Sequence, residues 1–239
     1  AQYRRGSTDS LFPKKYATIH HLSFNAPKWL TIGIFEGVVW DRLNQFEWAY
    51  LNPIIFLRPM EQQLGSGDNA FVGIDIKANI AKRFQLYTQV LFDEFKLSEI
   101  RRNDGWWANK WALQLGGKYI DAFGISNLDL QGEMNFVRPF TYAHNDTIGN
   151  YTHYNQPLAH PLMSNIKEFI GIVRYQPFPK WYLQGRLNVW QSGKDTAGLN
   201  FGNNIFLDTD TRPLQRGYYF GSAVKENWVN ANLWVAYEL

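Results

Sequence analysis

Two residue patterns in this chain could carry chemistry: a few histidines and carboxylates, and aromatic rings set among polar loop residues. The five histidines do not cluster as metal ligands. His20 and His21 are adjacent, and adjacent side chains on a strand point to opposite faces. His144, His153 and His160 share one long loop at spacings of nine and seven, and no HExxH spacing occurs. There is no cysteine, so neither a thiolate site nor a disulfide forms. No metal or other cofactor is expected. Asp93 and Glu94 are adjacent carboxylates at the outer end of a strand, where neighbours diverge. A glycosidase pair would need Glu133 or Glu36 to face them across an interior. Charged interior groups are instead expected to pair with Arg138, Arg174 or Arg186. No GxSxG motif and no phosphate-cradling glycine pattern occur. No catalytic residue is assigned, and the chain is expected not to be an enzyme.

The aromatic loops carry the stronger signal. Asp104-Gly105-Trp106-Trp107-Ala108-Asn109-Lys110 places two indoles beside amides and charges. The stretch from Tyr151 to Pro161 does the same with phenols and imidazoles. Sugars present apolar C–H faces and rims of hydroxyls, which flat rings flanked by a few polar groups match. The candidate saccharide contacts are Trp106, Trp107, Tyr151, His153, Tyr154 and His160. The alternative use of these rings is a girdle at a membrane interface, or packing of loops over a barrel mouth.

The elements that must position these loops alternate apolar and polar residues with period two. The pattern predicts strands over 69–80, 84–95, 109–120, 127–138, 180–191 and 227–239. Weaker candidates, 16–26, 28–39 and 166–175, carry apolar residues on both faces, as strands packed against a plug or tight interior would. Segments of ten to twelve residues match a tilted membrane crossing of about 9–11 residues, whereas a globular strand averages about five to six. Length therefore argues against the alternative that alternation alone leaves open, a soluble β-sandwich or jelly roll. Connections alternate short (81–83, 121–126, 176–179) and long (40–68, 96–108, 139–165, 192–227), the rhythm of an outer-membrane β-barrel. Aromatics make up 17% of the chain, with ten tryptophans, as interface girdles require. No run of about 18 apolar residues exists to form a membrane helix. A net charge of +3 gives no reason to expect nucleic acid as a partner.

The fold class expected is therefore all-β: an antiparallel transmembrane outer-membrane β-barrel, one domain over 1–239. Its apolar face would meet lipid and lipopolysaccharide. Its wet interior would hold Gln89, Asp93, Glu133 and Arg186. With the carboxyl terminus in the periplasm, every long connection falls outside. Counting back gives nine strands, with residues 1–15 beginning outside. Bacterial barrels close with an even number, so the domain is expected to be incomplete at its amino terminus, the carboxyl-terminal half of a barrel of about 18 strands. AQYRRGSTDS lacks the apolar core of a signal peptide.

The words EMNFVRPF, TYAHNDTIGNYTHYNQPLAHPL, DGWWANKWALQLGGKY, IGIFEGVVW, and YLNPIIFLRP followed by GDNAFVGIDIK resemble the Wzi-like capsule-assembly outer-membrane proteins of Bacteroidetes, including the gliding-motility RemB group. The resemblance runs from about residue 16 to the end, in proteins about twice this length. It implies a large barrel and, in the Wzi branch, a lectin that holds capsular polysaccharide at the surface. It equally suggests partners among gliding or type IX secretion envelope proteins, with a solute porin as a third reading. The family supplies no catalytic residues to carry over.

Overall fold

The computed structural model describes residues 15–25, 27–41, 47–53, 67–94, 96–146, 148–196 and 198–239. Residues 1–14, expected to begin outside the cell, and 54–66 of the first long connection lie outside the described residues. Nine long strands build one antiparallel sheet. They are β1 (Tyr16–Asn25), β2 (Leu30–Trp40), β3 (Asn69–Ile80), β4 (Phe84–Glu94), β5 (Lys110–Tyr119), β6 (Leu128–Val137), β9 (Ile166–Tyr175), β10 (Trp181–Lys194) and β11 (Val224–Tyr237). A two-stranded hairpin, β7 (Thr152–His153) with β8 (Gln156–Pro157), stands apart within one loop. Beyond single 3-10 turns, helix among the described residues is confined to α1 (Leu97–Arg102).

The sheet order β1-β2-β3-β4-β5-β6-β9-β10-β11 follows the chain, each strand antiparallel to the last. Successive connections therefore alternate between the two ends. Short ones turn tightly: in the three-residue connection 81–83, Ala81 and Lys82 both take positive φ, 49° and 59°, the type I′ pattern, and Arg83 N–H closes the turn on Ile80 O at 3.3 Å. All nine expected strands form. The boundary at 192–227 moves, because β10 and β11 stay paired to Lys194 and Val224 and leave only 195–223 as the connection. No ladder joins β1 to β11 among the described residues, so the sheet is open at both edges.

Register fixes what each face carries. Ile34, Ile74, Val90, Leu113 and Phe136 lie side by side on one face, as do Met134, Phe169, Val189 and Val229. Much of this face is bare: Leu233 is 77% and Val229 70% exposed. The other face carries Asp75, Gln89, Gln114, Asn135, Glu168, Asn188 and Asn230. Glycine makes room on it. A Cβ at Gly116 would fall 2.2 Å from Cζ of Tyr87, whose ring crosses β5 there.

Gln89, Asp93, Glu133 and Arg186 all lie on the polar face. Glu36 does not. It stands opposite Val72 on the apolar face, where His20 Nδ1 lies 3.2 Å from its carboxylate, so it cannot face Asp93 across an interior. His21, one residue on, pairs with Asp75 at 2.8 Å on the polar face. The two histidines diverge as a pleated strand demands.

At the long-loop end the polar face turns apolar and is covered. Val39, Phe71, Leu91, Ala112, Val137 and Ile166 form a diagonal row across six strands, and Tyr142, Ala143 and Ile205 pack onto it from the loops. This cover accounts for the apolar inner residues of β2 and β9, such as Phe35 and Ile170. Strand β1 has no such partner for Ile19, which is 51% exposed.

Candidate functional site: the capped end of the sheet

Loops 138–165 and 195–223 form a lid over the inner face. Buried amides tie it down. Asn165, fully buried and in the left-handed region at φ 57°, donates from Nδ2 to Gly193 O (2.9 Å) and Ser222 O (3.2 Å). Its Oδ1 accepts from Gly221 N at 2.8 Å. Asn203 Nδ2 donates to Ser164 O at 2.6 Å. Asp195 gathers the amides of Phe201 (2.6 Å) and Asn204 (2.8 Å). Asparagine and aspartate suit such work because short polar side chains tolerate left-handed backbone and bond it locally. Lys15 Nζ reaches the lid at Asn150 O (2.7 Å) and Thr152 O (2.9 Å). Burial pushes the Lys15 ammonium down to about 8.

A second tie runs to α1. Arg216 bonds both Glu99 (2.6 Å) and Asp104 (2.6 and 2.7 Å). The paired guanidinium lowers the Glu99 carboxyl below its usual range. This pins the 97–107 segment beside the lid. Trp106 and Trp107 then meet edge to face at 6.5 Å. Arg212 lies 3.9 Å from the centre of the Trp107 ring, and Phe140 meets its edge.

Between the lid and the ends of β3, β4 and β5 lies a cavity of about 330 Å³. Asp68, Asp93, Glu94, Trp107, Lys110 and His144 line it. Asp93 is buried and accepts Tyr142 N–H at 2.7 Å. Lys110, equally buried, donates to Ala143 O at 3.1 Å and lies 3.2 Å from Glu94. Burial, with Lys110 beside it, holds the His144 imidazole below its usual value. Near pH 7 it is neutral, with Nδ1 accepting Asp146 N–H at 3.2 Å and Nε2–H left to donate. Asp93 and Glu94 were expected to diverge. The register shifts between Phe92 and Glu94, and this bulge turns both toward the same space.

Beneath the lid a smaller cavity of about 120 Å³ opens over Gln89, Gln114 and Asn135. His160 reaches down from the loop to Glu168 at 3.0 Å, and Asn135 (3.0 Å) and Asn188 (3.1 Å) donate to the same carboxylate. Glu133 accepts from Tyr87 Oη at 2.7 Å. Arginine pairing of the interior acids is not what occurs. Arg174 bonds Gln131 and Gln184, Arg186 bonds Asn188, and Arg138 bonds two backbone carbonyls. Uncharged strand donors reach these acids instead: Asn135 stands opposite Glu168 on β6, Asn188 lies one diagonal step away on β10, and Tyr87 crosses Gly116 of β5 to Glu133, while the arginines sit farther down the sheet or on its other face.

The six sugar-contact candidates are thus not one surface. Trp106 and Trp107 are both half-buried, but of the two it is Trp107 that lines the first cavity. His153 and Tyr154 stand in solvent at the β7–β8 hairpin, Tyr154 being 88% exposed. Tyr151 packs inward on Phe71 at 4.8 Å, so it supports the lid rather than offering a ring face. His160 serves the interior network. Asp68, Lys110 and His144 were not singled out as contacts, because their convergence depends on loops closing over strand ends. Among the described residues no group of three His, Asp or Glu side chains could hold a metal, and no helix is long and apolar enough to cross a membrane. No protein-family model, curated protein or solved structure matches the chain.

Proposed function

We propose that this chain is part of an outer-membrane β-barrel whose lidded end holds a surface polysaccharide without chemically altering it. The observation that carries the reading is the pairing of two surfaces on one sheet. One is a bare apolar face spanning nine strands, far beyond the few hundred Å² a soluble monomer normally exposes. The other is a polar, indole-edged cavity at the long-loop end. A barrel wall in lipid accounts for the first. A sugar unit, with hydroxyls for Asp68, Glu94 and His144 and a C–H face for Trp107, suits the second. The two open edges would need further strands, since unpaired ladder groups are not tolerated in hydrocarbon. The resemblance to Wzi-like proteins points to the same use.

Trp107→Ala is expected to weaken retention of the cell's own polysaccharide about fivefold, from on the order of 1 kcal/mol per aromatic contact. Polysaccharide released into the medium by cells carrying the folded variant is the measurement. Release at the wild-type level would remove the cavity from the reading. Tyr154→Ala tests the hairpin tip separately.

Orientation is tested by labelling. Tyr154, at the tip of the β7–β8 hairpin, is the accessible probe position. A cysteine at Tyr154 should react with an impermeant maleimide on intact cells, and one at Lys82 should not. Reaction at Lys82 alone would invert the barrel. A second reading, a structural subunit of a larger envelope assembly tied to gliding or protein export, is favoured by one feature. The His20–Glu36 pair breaks the apolar face, and beside it Val38, Trp40, Ala70 and Tyr50 form a covered cluster where a lipid-facing wall would be bare.

A further inference from the structure

Three cations converge on one corner of the apolar face where the long loops begin. Among the described strand residues that face carries three charged side chains: Glu36, opposite His20, and Lys167 and Lys225. Lys167 stands opposite Gln191, and Lys225 opposite Gly193, two residues farther along the same side of β10. Arg138 follows β6 on that side and is half-buried. The segment Tyr218–Ser222 runs between the three. Arg138 donates to Tyr218 O at 3.0 Å. Lys167 Nζ lies 5.1 Å from the centre of the Phe220 ring. A Cβ at Gly221 would fall 3.0 Å from Lys225 Cε. None of the three cations makes an ion pair among the described residues. The Arg138 Nε is buried without a partner, and its other donors reach only backbone carbonyls. Other cations around the lid meet a carboxylate, as Arg216, Arg212 and Lys110 do, or several amide, hydroxyl and carbonyl oxygens at once, as Lys15 does.

Directly beneath this corner the face is apolar. Phe169, Val189 and Val229 are register neighbours two residues below Lys167, Gln191 and Asn227, and all are exposed. Phe220, Trp111 and Phe136 bank the corner with edge-to-face rings. Unpaired cations above an exposed apolar row match a molecule with anionic oxygens at one end and hydrocarbon at the other.

We propose that Arg138, Lys167 and Lys225 form a binding site for the phosphate headgroup of an outer-leaflet amphiphile whose acyl chains lie along Phe169, Val189 and Val229. The inference rests on the barrel reading above. Lysine and arginine supply charge-assisted donors to phosphate oxygens, and arginine adds a planar fork. The apolar row favours a lipid over free phosphate, because only a lipid uses both surfaces.

The test uses the full chain folded in detergent, titrated with diphosphoryl lipid A, with retained lipid read by native mass spectrometry. The Lys167→Glu/Lys225→Glu variant is expected to bind at least tenfold more weakly. It leaves Arg138 in place to hold the loop carbonyls. Dephosphorylated lipid A should bind both forms weakly and alike, and excess inorganic phosphate should not displace the lipid. Wild-type retention by the variant, or equal retention of the dephosphorylated lipid, overturns the site. Displacement by inorganic phosphate overturns the lipid assignment in favour of a free anion. Insertion into phosphatidylcholine bilayers is scored in parallel. A wild-type chain that fails to insert overturns the barrel reading and this site together, whereas an inserted chain indifferent to phosphate overturns this site alone.

Discussion

Leu233→Arg is expected to block assembly of the sheet in a bilayer, at a cost of about 2–4 kcal/mol if the residue lies near the midplane. Leu233 stands on the apolar face of β11, opposite Gly185, with 77% of its surface bare. Among the described residues no acidic side chain stands beside it on that face. Asn230→Arg, on the polar face of the same strand opposite Asn188, is the control and should assemble nearly as wild type. Folding is read by heat-modifiable migration in detergent and by urea unfolding in liposomes. Equal behaviour of the two variants would show that neither face meets lipid, and the barrel reading would fall with it.

Asn165→Leu is expected to release the lid while leaving the strands paired. Asn165 is fully buried, and its side chain joins Gly193, Gly221 and Ser222 across three segments. Leucine would strand those backbone groups, at about 1–3 kcal/mol for each buried one left unsatisfied. It would also take up the left-handed backbone at φ 57°, which asparagine accepts more readily. A total of about 3 kcal/mol at one hinge point is enough to open the lid, since a local unit can unfold below the global stability. Limited proteolysis should cut within 195–223 many times faster in the variant, with migration of the folded sheet unchanged. Polysaccharide retention should fall in parallel. Cleavage at the wild-type rate would mean that Asn203 and Asp195 hold the lid without it.

The strands were legible because their rule is local. Alternation at period two and short turns such as Ala81–Lys82 are properties of consecutive residues, and all nine segments form where the pattern placed them. Even the weak ones carried information. Apolar residues on both faces of 28–39 and 166–175 foretold a covered interior, and Val39, Ile166 and Ile170 lie under the lid. Period two failed where a residue was inserted. It set Asp93 and Glu94 on opposite sides, and the bulge at the end of β4 brought them together. Parity also misled at Glu36, because alternation gives two faces but does not say which one a glutamate between apolar neighbours has joined until the ladder with Val72 is known.

The sequence by itself determined the all-β class, the strand positions, the alternation of short and long connections and the division into an apolar and a polar face. Each of these follows from the fixed pleat of an extended chain, which a sequence cannot hide. Only the tertiary structure decided where the loops go. Tyr151 turned inward onto Phe71, His160 descended to Glu168, Trp107 came to rest under Arg212, and Tyr154 was left in solvent. Nothing in the local spacing of these residues distinguishes them, since loop side chains are placed by distant partners, some of them more than a hundred residues away. Arg216 with Asp104 and Arg138 with Tyr218 are such partnerships. The cavity and the cationic corner exist because those long-range contacts close, and no periodicity encodes them.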